Sequence, residues 1–467
     1  MRARRWWVLL LLLALIAAAC TNADDDESTE PEGGEAAEDD DVDAGSEDTD
    51  DATSEDPADD GDEPDDAPLE ASDVGVTEET IKIGLVSFDS ATLVDLGFAE
   101  DVGDPLAGGQ RIVDDINSNG GVHGRKIELV TELWNPLAPD ILADLQRACL
   151  VLTEDEQVFA VASLIFFGDA VTCVAGDHDT PLLGTGTLPA SVIESGNGNI
   201  FLINFQMDRA VSSLATTMGN AGELDDIETI GSFGMSEAGM QEVIDEALKP
   251  ALAAVGHTLD IEALVPVETG GTGPETAAAV TRFKEDGVDG VFLLGNLFAN
   301  GAFMTEAEKQ GYNPRYFLSD LSEGTTDQLI TQAPASQLEG SRGTTWRRTG
   351  RAEAGIAPSE FDLNCVENYG SETAAENEAE LGGTAELCLQ FDLIIGALTD
   401  AGRNPTREGF VAALESVGEF ETGAGGSASF SPERHDAIDE VKRVEWQIGC
   451  ECWVQVSDYE PVAEVAG

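Results

Sequence analysis

Positive charge is scarce in this 467-residue chain: 23 Lys and Arg stand against 92 Asp and Glu, with four His, for a formal charge of −69. A nucleic-acid-binding surface needs a basic stripe to neutralise phosphates, and no stretch supplies one. Adhesion to anionic lipid headgroups is excluded on the same ground. Histidine is too rare, and the Cys450-Glu451-Cys452 spacing too short, for a zinc site, so no metal is expected. Long apolar runs are also few. The run at the N-terminus, Trp6 to Ile16, is too short to span a bilayer comfortably and has no stop-transfer pattern behind it.

That run has a different use. Arg2, Arg4 and Arg5 precede it and Ala17, Ala18 and Ala19 follow, the three-part layout of a secretory signal over residues 1–19. The small-residue triplet ending in Cys20 resembles the bacterial lipobox, in which cleavage leaves the cysteine as a lipid-modified N-terminus. Ala17 departs from it, standing where that pattern usually has Leu. Cys20 is therefore the expected lipidation site. Arg4-Arg5 leaves general or twin-arginine export open. Residues 20–72 follow as an acidic segment with 25 acids and no Lys or Arg. Such a stretch cannot bury enough apolar surface to fold, and reads as a solvated tether. The expected location is the outer face of the cytoplasmic membrane, with the body held off it.

Without those 25 acids and the three leader arginines, 67 acids face 20 bases, a body at −47. A surface of that kind suits a salty exterior, where repulsion is screened. Six cysteines remain: Cys149, Cys173, Cys365, Cys388, Cys450 and Cys452. An even number in an exported chain suggests disulfides, with fifteen connectivities open. Nearness in sequence favours Cys149–Cys173 and Cys365–Cys388, while Cys450 and Cys452 either close a small ring or pair elsewhere.

From Glu79 short apolar strands alternate with amphipathic helices. Strands are expected at 81–88, 126–133, 158–162 and 181–183, then in a second series at 227–233, 261–265, 290–294 and 316–318. Helices are expected at 105–117, 139–152, 237–255, 275–286 and 302–310. This alternation indicates α/β architecture with parallel sheets covered on both faces. Some 395 residues exceed one core, so two lobes are expected, with a ligand cleft at the strand carboxyl ends.

GGVHGRKIEL (Gly120 to Leu129), after a helix containing DDIN, resembles a signature of the branched-chain-type amino-acid-binding proteins. These are type I periplasmic binding proteins that serve ABC importers. RACLVLTEDEQVFAV, TPLLGTGT, FLSDLSEGT and IGALTDAGRNPTREGFVAALESV continue the resemblance in order, from about Val76 to the end. It implies two doubly wound parallel-sheet lobes joined by a multi-crossing hinge. Lobe 1 is then 76–207 with 342–422, and lobe 2 is 208–341 with 423–467. The crossings fall near Met207, Arg342 and Gly423. It also implies a small amino-acid-like ligand and an ABC permease as partners, with no cofactor and no enzymatic activity.

By the same resemblance, Ser163, Leu164, Gly186 and Thr187 hold a ligand carboxylate, and Glu323 of SEGTT holds its ammonium. Helix N-termini can bind an anion without an arginine, so the carboxylate grip is chemically reasonable. Ser163 and Thr187 are equally suited to capping helices. Phe166 and Phe167 beside Ser163, Trp134 at a strand end, and Phe298 in GNLFANG are candidates for pocket lining, although core burial is the commoner fate of Phe. The tyrosines the family places in the second lobe are absent from MSEAGM and GNLFANG, so an altered, more apolar pocket is expected. GMSEAG (Gly234 to Gly239) has one residue too many for a nucleophile elbow. GTGTLP lacks the third glycine of a dinucleotide loop, and GGTGPET lacks the P-loop lysine. The other readings are a ligand sensor signalling to a membrane partner and a passive surface lipoprotein.

Overall fold

A computed structural model describes residues 68–463, apart from 97–100, 268–269, 327–328, 330–331, 351–354 and 423. The signal, Cys20 and most of the acidic segment lie outside the described residues, as does Gly423. Five parallel strands form the first sheet: β1 (Thr80–Phe88), β2 (Lys126–Trp134), β3 (Ala160–Ser163), β4 (Leu182–Gly184) and β5 (Ile200–Leu202), in the order 2-1-3-4-5. β3, β4 and β5 are buried throughout, as continuous apolar runs covered on both faces require. The edge strand β2 alternates, with Ile127 and Trp134 buried and Lys126, Glu128 and Thr131 exposed.

The second sheet repeats the pattern. β6 (Ile230–Met235), β7 (Ile261–Val265), β8 (Gly290–Leu293), β9 (Arg315–Ser319) and β10 (Arg342–Thr345) are parallel in the order 7-6-8-9-10. β13 (Glu440–Gln447) and β14 (Cys452–Gln455) extend it antiparallel, and β15 (Glu460–Pro461) pairs with β13. β11 (Glu419–Glu421) and β12 (Ser427–Ser429) make a separate two-stranded ribbon. In each lobe the winding reverses direction once, between β1 and β3 and between β6 and β8. A crevice opens at such a switch point, outside the strand carboxyl ends.

Helix α1 (Pro105–Ser118) starts with Asp104 accepting from the Ala107 amide and Pro105 at its first turn. α2 (Ile141–Leu150) is capped by Asp140, α3 (Met207–Asn220) carries the chain into the second lobe, and α4 (Leu297–Gln310) is capped by Asn296. α5 (Glu360–Tyr369) opens with a capping box between Ser359 and Asp362. α6 (Glu378–Asp400) is long and apolar enough to cross a membrane by composition, but it is the central helix of the first lobe. Its Leu387, Phe391, Ile394, Ala397 and Leu398 pack with Ile81, Ile83, Leu85 and Phe159 in one core.

Three chain crossings meet in one cluster of Phe205, Ala210, Trp346, Ile438 and Val441. The Phe205 and Trp346 rings meet edge to face at 5.1 Å, and Trp346 Nε1 donates to Asn204 Oδ1 at 3.2 Å. Arg209 lies 5.0 Å over the Phe205 ring, pairs with buried Asp436, and donates to the Ile438 carbonyl. Two expected boundaries need correction. Arg342–Thr345 is a strand of the second sheet, so that crossing falls at Trp346 rather than Arg342. Ala428, Phe430 and Ala437 pack in the first-lobe core, so the last crossing falls at Ile438 rather than near 423.

A third correction concerns the acidic segment, whose last residues are docked. Asn404 Nδ2 donates to the Pro68 carbonyl and its Oδ1 accepts from the Glu70 amide, while Ser72 Oγ donates to the Pro405 carbonyl. The fully buried Arg125 donates to the carbonyls of Glu70, Thr77 and Arg403. This dock sits beside the strand starts of the first lobe, since Lys126 opens β2.

All six body cysteines are paired: Cys149–Cys173, Cys365–Cys388 and Cys450–Cys452. Cys365–Cys388 staples α5 to α6 across 23 residues. Replacing both with serine should lower unfolding free energy by about 3 kcal/mol, because the unfolded chain regains that loop entropy. Urea unfolding measures it, and an unchanged midpoint would mean that the helices hold each other without the bond.

Candidate functional site

The strand carboxyl ends of the two sheets face each other across the crossings. Asn204, just beyond β5, donates to the Thr185 carbonyl beyond β4 and accepts from Trp346 beyond β10. Asp320, just beyond β9, is fully buried and accepts from the Thr345 hydroxyl at 2.7 and 2.9 Å, the Trp346 amide at 2.8 Å and the Arg347 amide at 3.0 Å. It accepts from the Thr325 hydroxyl as well. One carboxylate thus fixes the backbone where the chain leaves the second lobe. Burial pushes the Asp320 carboxyl up, with Arg347 and the two hydroxyls pulling it back.

On the first-lobe wall Ser163 closes β3 beside the switch point. It is buried, and its carbonyl accepts from the Thr185 amide at 3.1 Å and from Gln390 Nε2 at 3.0 Å. Its hydroxyl has no hydrogen-bond partner among the described residues. Gly184 is needed beside it, because a side chain there would begin 2.9 Å from Ser163 Oγ. The amides of Gly186 and Thr187 likewise make no hydrogen bond among the described residues, so Ser163, Gly186 and Thr187 present three ready donors. Leu164 departs from expectation: its amide donates to the Val86 carbonyl at 2.9 Å and is held by the sheet. Ile165 has φ of 53°, the one β-branched residue among the described non-glycines with positive φ. Strain of this kind is kept where surrounding structure enforces it, and commonly at functional sites.

The aromatic candidates separate. Phe166 is 2% exposed and Trp134 5% exposed, both in a core with Leu145, Val161 and Val171, so neither lines open space. Trp134 supports the rim instead. Its Nε1 donates to the Ile165 carbonyl at 3.0 Å and its ring meets Phe167 edge-on at 5.6 Å. Phe167 is 38% exposed beyond β3, and Phe298 is 40% exposed on the first turn of α4 beyond β8. Each stands at the carboxyl end of its sheet.

Glu323 does not offer a free carboxylate. Arg347 Nη1 lies 2.5 Å from its Oε1, and Arg347 Nε lies 3.6 Å from Glu386 Oε1 on α6. Arg347 therefore links a carboxylate of the second lobe to one of the first. Burial works against its charge, but Glu323, Glu386 and Asp320 outweigh that and hold it more firmly protonated than usual. Sequence alone did not single out Arg347, Glu386, Asp320 or Gln390. A hollow of about 360 Å³ lined by Phe361, Leu389, Asp392, Leu393 and Phe420 shares no residue with this group and is a gap between α5, α6 and the ribbon.

The lobes also touch at a second place. Gly239, with φ of 81°, lies so close to the loop after β4 that a Cβ would fall 2.7 Å from Pro189 Cβ and 2.9 Å from Ser191 Oγ. Ser191 Oγ donates to Glu242 across the same contact. GMSEAG, the sequence that looks like a nucleophile elbow, ends in this lobe-to-lobe contact.

Residues 80–450 match the family described as periplasmic binding protein. Among solved structures, a fatty acid ABC transporter substrate-binding protein from Thermomonospora curvata is similar at TM-score 0.63 and 16% identity, covering 85% of this chain and 96% of that one. An ABC transporter solute-binding protein from Rhodopseudomonas palustris, solved with p-hydroxybenzoic acid, gives 0.62 and 16%, over 83% and 98%. A leucine-binding protein from Thermotoga maritima gives 0.60 and 16%, over 81% and 98%. At this identity the likeness is one of fold. No curated protein matches the chain.

Proposed function

The chain belongs to the periplasmic binding protein family, and from that premise we propose that it is an extracytoplasmic solute-binding receptor that delivers an amino-acid-like ligand to an ABC importer. The observation that carries this reading is the set of unused donors on Ser163, Gly186 and Thr187 at the strand ends of one lobe, while Glu323 of the other lobe is ion-paired to Arg347. A carboxylate accepting from two amides and a hydroxyl is well held in a site closed from water. The second lobe closes over it, and ligand binding shifts the population towards the closed form. Cys20 serves as lipid anchor, so the receptor stays at the membrane surface. The solved relatives bind acids of several kinds, fatty, aromatic and amino, which supports the carboxylate as the shared handle.

A thermal-shift screen of the full chain in detergent against amino acids, fatty acids and aromatic acids tests the reading. Ligand at a hundred times its Kd should add about 2.7 kcal/mol of stability. Ser163→Ala should weaken the responding ligand roughly tenfold by removing one hydrogen bond to a charged group. No response from any acid would sink the proposal. Pull-down separates import from sensing: a permease supports delivery, and a kinase in its place supports the sensor.

A further inference from the structure

Resting on that reading of the cleft, we infer that Glu386 is the carboxylate that accepts a cationic nitrogen of the ligand, so that the ligand is a zwitterion held by Ser163, Gly186 and Thr187 at one end and Glu386 at the other. The path of α6 sets its place. The Thr399 carbonyl near the end of α6 meets His123, beside the start of β2. Gln390, nine residues earlier, donates to the carbonyls of Ser163 at 3.0 Å and Leu183 at 2.9 Å, at the ends of β3 and β4. The helix therefore runs from the cleft down to the strand starts. Glu386 precedes Gln390 by one turn, about 6 Å of rise, which lifts it past the strand ends into the space between the lobes. Its contact with Arg347, itself paired to Glu323 of the second lobe, agrees with that position.

Charge balance in this space is incomplete. One guanidinium faces three carboxylates: Glu323, Glu386 and Asp320. Asp320 is fully engaged by hydroxyls and backbone amides, and Glu323 has the short contact with Arg347. Glu386 has neither. Its nearest cation is 3.6 Å away, too long for a hydrogen bond, and the Arg347 Nε facing it is buried without a hydrogen-bond partner. Burial raises the Glu386 carboxyl, with Glu323 and Asp320 adding to the rise and Arg347 opposing it. A half-buried carboxylate short of a counter-charge is relieved by a bound cation. An α-amino acid carries its ammonium one carbon from its carboxylate, and Gln390, which holds the Ser163 carbonyl, is one helical turn from Glu386, so the inferred grip sets the ligand nitrogen towards Glu386. Both ends of the ligand then rest on the first lobe, and Glu323 acts through Arg347 to close the second lobe over it.

The test uses the full chain in detergent and two matched trios, read by titration calorimetry: leucine, 4-methylpentanoate and 3-methylbutylamine, and phenylalanine, 3-phenylpropanoate and 2-phenylethylamine. The amino acid of the better-bound trio should bind at least tenfold more tightly than its desamino acid. Glu386→Gln should remove that preference, a roughly ten- to hundredfold loss for the amino acid with the desamino acid nearly unchanged. Glu323→Gln should keep the preference, because its carboxylate serves Arg347. Acidification that protonates Glu386 should weaken the amino acid more steeply in the wild type than in Glu386→Gln, where only Glu323 and Asp320 remain to titrate beside Arg347. A preference retained in Glu386→Gln, or desamino acids binding as tightly as amino acids, overturns this assignment while the receptor reading stands. Failure of every probe in both trios takes the receptor reading for these ligands down with it.

Discussion

Asp320→Ala should destabilise the folded body by about 3–5 kcal/mol, the range for removing one member of a buried charged network. The change strands the buried Trp346 amide and Thr345 hydroxyl and the part-buried Arg347 amide. It also takes one of three carboxylates from around Arg347. Asp320→Asn keeps the shape but offers one accepting oxygen instead of two, and should lose about 1–3 kcal/mol. Urea unfolding followed by tryptophan fluorescence suits the question, because Trp346 sits in the crossing cluster. An alanine variant within about 1 kcal/mol of wild type would mean that the crossover is held by packing of Phe205 and Trp346 rather than by the carboxylate.

Gly239→Val should separate binding from folding. A valine Cβ would collide with Pro189 and Ser191 on the facing lobe, wedging the lobes apart. Ligand affinity should fall on the order of ten- to a hundredfold, the span of a closure equilibrium shifted by about 1–3 kcal/mol. Valine at φ of 81° is also strained in its own loop, at a cost of about 1–2 kcal/mol. Gly256→Val supplies the control, since Gly256 has φ of 87° and nothing within 4 Å of its Cβ position. Gly256→Val should therefore lose stability and keep affinity. Small-angle scattering should show the Gly239→Val body expanded in the presence of saturating ligand. Equal affinities for the two variants would assign the contact at Gly239 no part in closure.

The sheets were legible because buried parallel strands are written as local apolar runs. IKIGLVSF, IEALV and GVFLL each fall on strands of the fold. β5 and β10 were not singled out, being three and four residues long with little pattern of their own. Ser163 ends β3 and Gly186 and Thr187 come just after β4, so a strand assignment places all three at the carboxyl end of the sheet. Glu386 had no such marker. Glu378, Glu380 and Glu386 share one helix, and only the packing of Gln390, one turn after Glu386, against the Ser163 and Leu183 carbonyls sets Glu386 apart from the other two. Arg347 is one of two adjacent arginines, and its neighbour Arg348 turns instead to Asp362 and Glu378. Trp134 ends β2, and Phe166 and Phe167 both come soon after β3, and neighbours distant in sequence determine which of the three is covered.

Under the proposed anchoring at Cys20, the dock of residues 68–72 on the 403–405 loop fixes where the tether meets the folded body. The chain enters the folded body beside the strand starts of the first lobe, at the opposite end from the strand termini that line the cleft. With Cys20 as the proposed anchor, 48 residues separate lipid from dock. Their covalent limit is roughly 160 Å at about 3.3–3.6 Å per residue. One molecule confined to a hemisphere of that radius has a local concentration on the order of 0.1 mM at the membrane. For the proposed permease partner, a docking constant near that value suffices for frequent visits. The grip on the transporter can therefore be weak and brief, and turnover at the permease need not wait for a tight complex to part.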